Sequence, residues 1–254
     1  MSRNFELMQS VGTKFEVPTF EDPRIETSFN RKGSGERTPT FFTIKDKLIR
    51  EETHKLTQSI FLMGGADSPR VVTFAGIEEG AGCTWLCAHI ADILASQGVG
   101  SVCIVDANMH KPSLGNLFAV STGQGLPDAL SRGGSIREFA KPIMGENLWL
   151  LCGGSFAADS TGLLNSETMK VRVMELRNEF DYVLIDSAPM NTNAEGVLLG
   201  QLADGLVLVL EANSTRREAA VRITETLHTS NVRVLGAVLN KRTFPIPESV
   251  YSRL

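Results

Sequence analysis

Six short runs of apolar residues constrain the fold of this chain more than any other feature of its sequence. The runs are Val71–Phe74, Val102–Val105, Leu148–Leu151, Tyr182–Ile185, Leu206–Leu210 and Val234–Leu239. They are almost continuously apolar and do not alternate with polar residues, which is typical of strands buried on both faces of a parallel sheet. Amphipathic helical stretches separate them. The pattern therefore predicts an α/β fold with a doubly wound, mostly parallel sheet flanked by helices.

Composition and charge exclude several classes of protein. The chain has 254 residues, of which 42% are hydrophobic and 21% charged, as expected for a soluble globular domain. An isoelectric point near 5.7 argues against nucleic acid as a partner, because phosphate neutralisation needs clustered Lys and Arg. No apolar run approaches the ~18 residues of a membrane-spanning helix, and the first thirty residues carry acids and prolines instead of an apolar signal-peptide core. We therefore expect a cytoplasmic protein with four reduced cysteines, whose spacing matches no zinc pattern.

The chain divides by composition into three parts. Residues 1–45 hold three of the ten prolines, six of the thirteen phenylalanines and mixed charges without a helical or strand period. They predict a disordered or docking arm, whose Phe side chains either bind a partner or pack on the domain's own surface. Residues 46–242 carry the strand and helix pattern of the folded domain. Residues 243–254 form a short C-terminal tail.

A Gly-rich segment follows the first apolar run and precedes a helical stretch. Its central residues are Gly80, Ala81, Gly82, Cys83, Thr84 and Trp85. A loop in this position can wrap backbone N–H groups around phosphates, with the helix N-terminus adding positive potential. Thr84 stands where a Walker A loop has its Mg²⁺-binding hydroxyl, but Cys83 stands where that loop has its phosphate-binding Lys. Many turns of this kind need Gly for steric reasons alone.

Polar residues also follow two other apolar runs. Asp106 and Asn108 follow the second run, and Asp186 follows the fourth. A carboxylate at the end of a buried strand can hold the water shell of Mg²⁺ or accept a hydroxyl proton. A local turn or a helix cap explains each residue equally well when it is taken alone. Because ligands bind beyond the carboxyl ends of parallel strands, the three segments together predict one site.

At these residues the chain resembles the bacterial tyrosine kinase (BY-kinase) family of capsule and exopolysaccharide systems. That family belongs to the P-loop NTPase class, together with septum-site and plasmid-partition ATPases. The segments Glu79–Thr84, Asp106–Pro112 and Asp186–Pro189 match its Walker A, Walker A′ and Walker B motifs, and the resemblance extends from about Glu51 to Lys241.

The resemblance implies ATP or ADP with Mg²⁺ as ligands. It assigns catalytic roles to Asp106 and Asp186, and Mg²⁺ binding to Thr84, Asp106, Asn108 and Asp186. It assigns nucleotide binding to Gly80 through Trp85 and an adenine contact to Asn240.

The chain also departs from the family pattern. Cys83 replaces the Walker A Lys, and Asn108 replaces the second acid of Walker A′. The family's oligomerisation motif Glu-x-x-Arg-x-x-Arg has lost both arginines in Glu51–Thr57, and its C-terminal tyrosine cluster is reduced to Tyr251. A unit charge about 4 Å from a phosphate oxygen contributes roughly 4 kcal/mol at an effective dielectric constant of ~20, so losing the Lys predicts degenerate, impaired nucleotide chemistry. Cys83 is either a small filler or a reactive thiol activated by the helix N-terminus.

Three functional hypotheses follow. The first is a BY-kinase-like ATPase that phosphorylates tyrosine in exopolysaccharide or capsule biosynthesis or its regulation, with an altered loop. The second is a pseudokinase-type module that binds a membrane-embedded polysaccharide chain-length or co-polymerase protein. That partner would bring the cytoplasmic chain to the membrane. Assembly into a homo-oligomer is a further alternative. The third is a positioning ATPase of the septum or partition kind, but the chain lacks a basic DNA-binding stripe and a membrane-binding amphipathic tail helix.

Overall fold

Seven strands form one sheet, which the computed structural model describes within residues 47–120, 123–145, 147–154 and 160–241. The strands are β1 (Val71–Gly76), β2 (Val102–Asp106), β3 (Lys141–Met144), β4 (Leu148–Leu151), β5 (Tyr182–Asp186), β6 (Gly205–Glu211) and β7 (Val234–Asn240). Their order across the sheet is β3-β4-β2-β5-β1-β6-β7. All neighbours are parallel except β3 and β4, which are antiparallel. The six predicted strands are therefore confirmed. The short edge strand β3, which contains Pro142, was not predicted.

Helices cover both faces of the sheet. They are α1 (Lys47–Thr57), α2 (Cys83–Ser96), α3 (Leu114–Leu117), α4 (Leu126–Ser131), α5 (Ile136–Phe139), α6 (Ser160–Leu164), α7 (Glu167–Glu179), α8 (Glu195–Leu202) and α9 (Arg217–Thr229). A π-helical turn, Gln58–Leu62, continues α1. No helix in the described part of the chain is long and apolar enough to cross a membrane.

Successive residues of β5 show why the strands are continuously apolar. Leu184 packs in a cluster with α1 and α2, whereas Val183 and Ile185 pack on the opposite face with α4, α5 and α7. Both faces of the strand are buried, so both need apolar side chains. The predicted doubly wound α/β architecture is confirmed.

Several local predictions have different outcomes. Cys87, Cys103 and Cys152 are buried, as expected for small core residues, and all four cysteines are free. Thr215 and Glu218 have the sequence spacing that predicts a capping box for α9, but this prediction is wrong: the Thr215 hydroxyl accepts the N–H of Glu211 at 2.9 Å, and the N-cap residue is Arg216. The predicted arm 1–45 and tail 243–254, with Tyr251, lie outside the described residues. The division into three parts stays a prediction.

Candidate functional site

The Gly-rich loop between β1 and α2 depends on glycine for its shape. Gly80 and Gly82 have φ angles of +85° and +83°, a region that favours glycine. A Cβ atom on Gly82 would lie 2.2 Å from Nδ2 of Asn240, so this position also lacks space for a side chain. Asn240, at the end of β7, donates a hydrogen bond from Nδ2 to the carbonyl oxygen of Ala81 at 2.8 Å. These contacts fix the loop at the N-terminus of α2, where backbone geometry favours anions.

The first two residues of α2 face the carboxylate of Asp186. Thr84 donates from Oγ1 to Oδ2 of Asp186 at 2.6 Å, and the Cys83 thiol is also directed at this carboxylate. Burial, followed by the negative charge of Asp186, raises the pKa of the Cys83 thiol well above its usual value. The thiol is therefore neutral at physiological pH. This result contradicts the reactive-thiol interpretation of Cys83 and supports the filler interpretation.

Two buried carboxylates lie side by side at the end of the sheet. Asp106 and Asp186 occupy paired positions on the neighbouring parallel strands β2 and β5, and both are fully buried. Burial raises the pKa of Asp106 to about 6, although N–H groups of Ser113 and Leu114 donate to its Oδ2 and oppose the rise. Burial and the adjacent Asp106 raise the pKa of Asp186 to about 7. The groups that shift these two pKa values include no Lys or Arg.

The oxygen atoms of this pair fit a hydrated Mg²⁺ ion. Oδ1 of Asp106 and Oδ1 of Asp186 are buried and find no hydrogen-bond donor among the described residues. With the Thr84 hydroxyl they form a set of hard oxygen donors, which Mg²⁺ prefers. Within the described ranges, no three His, Cys, Asp or Glu side chains cluster as metal ligands. Water would therefore complete the coordination of an ion held here, as is usual for Mg²⁺.

One long-range ion pair and one long-range hydrogen bond position the segment that follows β2. Oδ1 of Asn108 accepts the N–H of Lys111 at 3.2 Å, so this side chain closes a local turn, and its role as a metal ligand stays a prediction. Nζ of Lys111 pairs with Oε1 of Glu79 in the Gly-rich loop. Nε2 of His110 lies 2.9 Å from Oε1 of Glu195, which is buried at the start of α8. The two pairs join residues 32 and 85 positions apart, and no local sequence pattern marks them.

The structure thus brings most of the predicted site residues to one edge of the sheet. The Gly-rich loop, Thr84, Asp106 and Asp186 surround the end of β1, and Asn240 holds the loop from the side of β7. Trp85 stacks on His89 within α2, with ring centroids 3.8 Å apart. The nucleotide contacts of Trp85 and the adenine contact of Asn240 stay predictions.

Solved structures show the class of fold. The kinase domain of the Escherichia coli tyrosine kinase ETK matches with a TM-score of 0.81 at 17% identity, over 97% of this chain and 98% of that one. The septum site-determining protein MinD of Pyrococcus horikoshii, complexed with Mg-ADP, matches with a TM-score of 0.58 at 18% identity, over 72% and 76% of the two chains. The chain therefore shares the fold of these two proteins, a mostly parallel α/β sheet flanked by helices.

Sequence relatives show the family. Tyrosine-protein kinase YwqD of Bacillus subtilis is 30% identical over 211 residues, which is 83% of this chain and 89% of YwqD. The succinoglycan biosynthesis transport protein ExoP of Rhizobium meliloti is 28% identical over 183 residues, which is 71% of this chain and 23% of ExoP. No protein-family model matches the chain. On its identity to YwqD, the chain belongs to the bacterial tyrosine kinase (BY-kinase) family.

Proposed function

We propose that this chain is a cytoplasmic BY-kinase-type domain of exopolysaccharide or capsule biosynthesis, or of its regulation, with impaired nucleotide chemistry. The names of YwqD, a tyrosine-protein kinase, and ExoP, a succinoglycan biosynthesis transport protein, support the context. The observation that carries the proposal of impairment is the position of Cys83. Its neutral thiol faces Asp186 at the start of α2, where the family has a phosphate-binding Lys.

The missing ammonium group leaves the site with excess negative charge. The buried acids Asp106 and Asp186 have raised pKa values, and neither is shifted by a cation. A nucleotide phosphate adds further negative charge, so Mg²⁺ is expected to strengthen its binding. Thr84, Asp106 and Asp186 would hold the ion, which would supply neutralising positive charge to the site. A net loss of ~2–4 kcal/mol from the absent Lys corresponds to about one and a half to three decades in affinity or rate.

Proton transfer in this site depends on Asp106. When a tyrosine hydroxyl oxygen bonds to the γ-phosphorus of ATP, the bond from that phosphorus to the ADP oxygen breaks and the hydroxyl proton must leave. A carboxylate with a pKa of about 6 is suited to accept this proton near neutral pH. The neutral amide of Asn108, which replaces the family's second acid, does not accept protons. Asp106 is therefore the proton acceptor that the segment after β2 supplies.

A kinase assay tests the proposal. The purified chain is incubated with Mg-ATP, and phosphotyrosine and ADP are quantified for the wild type, Cys83→Lys and the blank variant Asp186→Ala. We expect the wild type to turn over at least about tenfold more slowly than Cys83→Lys, because only the variant places an ammonium group in the loop. Equal turnover of the wild type and Cys83→Lys would contradict impairment. If neither the wild type nor Cys83→Lys forms more product than Asp186→Ala does, a kinase-type site is refuted.

The second candidate function is a catalytically inactive module that binds a membrane polysaccharide co-polymerase. It is favoured by the scarcity of acceptor tyrosines, since the chain has two. Tyr182 lies within β5, half-buried, with its ring edge-to-face on Phe61 at a centroid distance of 5.6 Å. Tyr251 is therefore the remaining candidate acceptor.

Partner capture tests this second function. The full chain and a chain lacking residues 1–45 are compared for binding to membranes that contain the co-polymerase. Capture by the full chain without any phosphotyrosine product supports the module. We expect the truncation to abolish capture while circular dichroism shows an intact fold. Persistent capture would show that the arm is not the docking element.

A further inference from the structure

We propose that Lys111 supplies to a bound phosphate the positive charge that residue 83 lacks, and that Glu79 holds this ammonium group beside the Gly-rich loop until phosphate displaces it. The inference rests on the proposed function, because it takes a Mg-nucleotide as the ligand of the loop. It assigns phosphate binding to a residue outside the Walker A segment.

The negative charge of the site favours such a cation. The loop itself carries Glu79, and the floor of the site carries Asp106 and Asp186, each with a buried Oδ1 that finds no donor among the described residues. The side chain of Cys83 is short and points toward Asp186, so it contributes no charge to the loop. A phosphate bound at the N-terminus of α2 would then have backbone dipoles and Mg²⁺ as its positive partners, unless a Lys from another segment contributes.

Lys111 reaches the loop from the end of β2. Its Nζ contacts Oε1 of Glu79, so the ammonium group already lies at the Gly-rich loop. The backbone that carries Lys111 is held in place by hydrogen bonds on both sides. Its N–H donates to Asn108, and Asp106 accepts the N–H groups of Ser113 and Leu114 at 2.9 and 3.0 Å. The Lys side chain is therefore presented toward the loop by a fixed segment.

The ion pair with Glu79 is easily exchanged for a phosphate. The side chains of Lys111 and Glu79 are 77% and 69% exposed, and exposed pairs of this kind contribute little to stability. Their contact therefore offers weak competition to a multiply charged phosphate. Release of Lys111 also leaves Glu79 near the bound anion, so Glu79 opposes nucleotide binding.

Titration calorimetry with Mg-ADP tests the inference on the full chain. We expect Lys111→Gln to weaken binding about tenfold, Lys111→Arg to stay within about threefold, and Glu79→Gln to tighten binding. Lys170→Gln is the matched control, because Lys170 forms a similarly exposed ion pair with Glu167 on α7, far from the Gly-rich loop in sequence and fold. The control is expected to bind like the wild type. Thermal unfolding of all four variants checks that each remains folded.

A double variant separates this inference from the proposed function. If Lys111 stands in for the missing Lys, its removal matters less when Cys83→Lys restores a cation. We therefore expect Lys111→Gln to cost about tenfold in the wild type and less than about threefold in the Cys83→Lys background. Unchanged affinity of Lys111→Gln, or binding that is undetectable in the wild type but present in Cys83→Lys, overturns the role of Lys111. Failure of Cys83→Lys to bind Mg-ADP overturns the proposed function itself.

Discussion

Replacing Asp186 with Asn is expected to stabilise the metal-free protein, although Asp186 belongs to the site. The carboxylate is fully buried beside Asp106, and burial followed by the Asp106 charge raises its pKa from 3.8 to about 7. The folded protein therefore binds this proton more tightly than the unfolded chain does. The associated stability is fully present below about pH 4 and is lost as the pH rises through 7.

The size of the effect on the free energy of unfolding follows from the pKa shift of Asp186. A rise of about three pKa units corresponds to about 4 kcal/mol, at 1.36 kcal/mol per unit. Most of this loss occurs above pH 5, because the unfolded chain is already ionised there while the folded protein is not. The amide introduced by Asp186→Asn carries no titrating proton, and its oxygen can still accept from Thr84. The stability gap between Asp186→Asn and the wild type is therefore expected to widen by about 2–3 kcal/mol between pH 5 and pH 8.

Urea denaturation in EDTA at several pH values measures this gap. Asp204→Asn is a control for which the opposite effect on stability is expected. Although burial of Asp204 raises its pKa, hydrogen bonds from Arg177 and from the N–H groups of Val71 and Arg70 lower it overall. Asp204→Asn is therefore expected to be destabilising at neutral pH, and less so as the pH falls through the lowered pKa. A constant difference between Asp186→Asn and the wild type from pH 5 to pH 8 would refute the electrostatic account of the site.

Two further predictions concern buried contacts. Arg172→Ala is expected to lower the free energy of unfolding by about 3–5 kcal/mol in urea, because the guanidinium group donates to the carbonyl oxygens of Ala129, Arg132 and Gly134, each at 2.7 Å. A loss below about 1 kcal/mol would show that these bonds are dispensable. Gly82→Ala is expected to cost about 1–3 kcal/mol and to weaken Mg-ADP binding, because its Cβ would displace Asn240 from the loop. Unaltered Mg-ADP binding by a folded Gly82→Ala protein would contradict the expected clash between the new Cβ atom and Asn240.

The positions of the strands and of the acids could be predicted because they depend on local pattern and on one topological rule. Continuous apolar runs mark strands that are buried on both faces, and β5 shows this directly. Parallel strands bring their carboxyl ends to one edge, so Asp106 and Asp186 were expected to meet there. Their pairing in register follows from the strand order, which the sequence does not state.

The remaining features of the site depend on contacts between residues that are far apart in the sequence. Lys111 contacts Glu79 in the Gly-rich loop, and His110 contacts Glu195 at the start of α8; no local sequence pattern marks either partner. The protonation state of the Cys83 thiol could not be decided from the sequence, for a different reason. A helix N-terminus lowers a thiol pKa, whereas burial and a neighbouring carboxylate raise it, and only the structure shows that burial and Asp186 dominate. The strand β3 was not predicted because it is short, antiparallel and contains Pro142.

Titration calorimetry of Mg-ADP against the wild type, Cys83→Ser and Cys83→Lys tests the central claim most directly. Cys83→Ser is the matched control, because it changes the thiol without adding charge. We predict equally weak binding by the wild type and Cys83→Ser, and binding by Cys83→Lys that is tighter by about tenfold or more, or at least ~1.4 kcal/mol. Binding by the wild type as tight as that of Cys83→Lys would contradict the claim that the substitution at residue 83 impairs the nucleotide site.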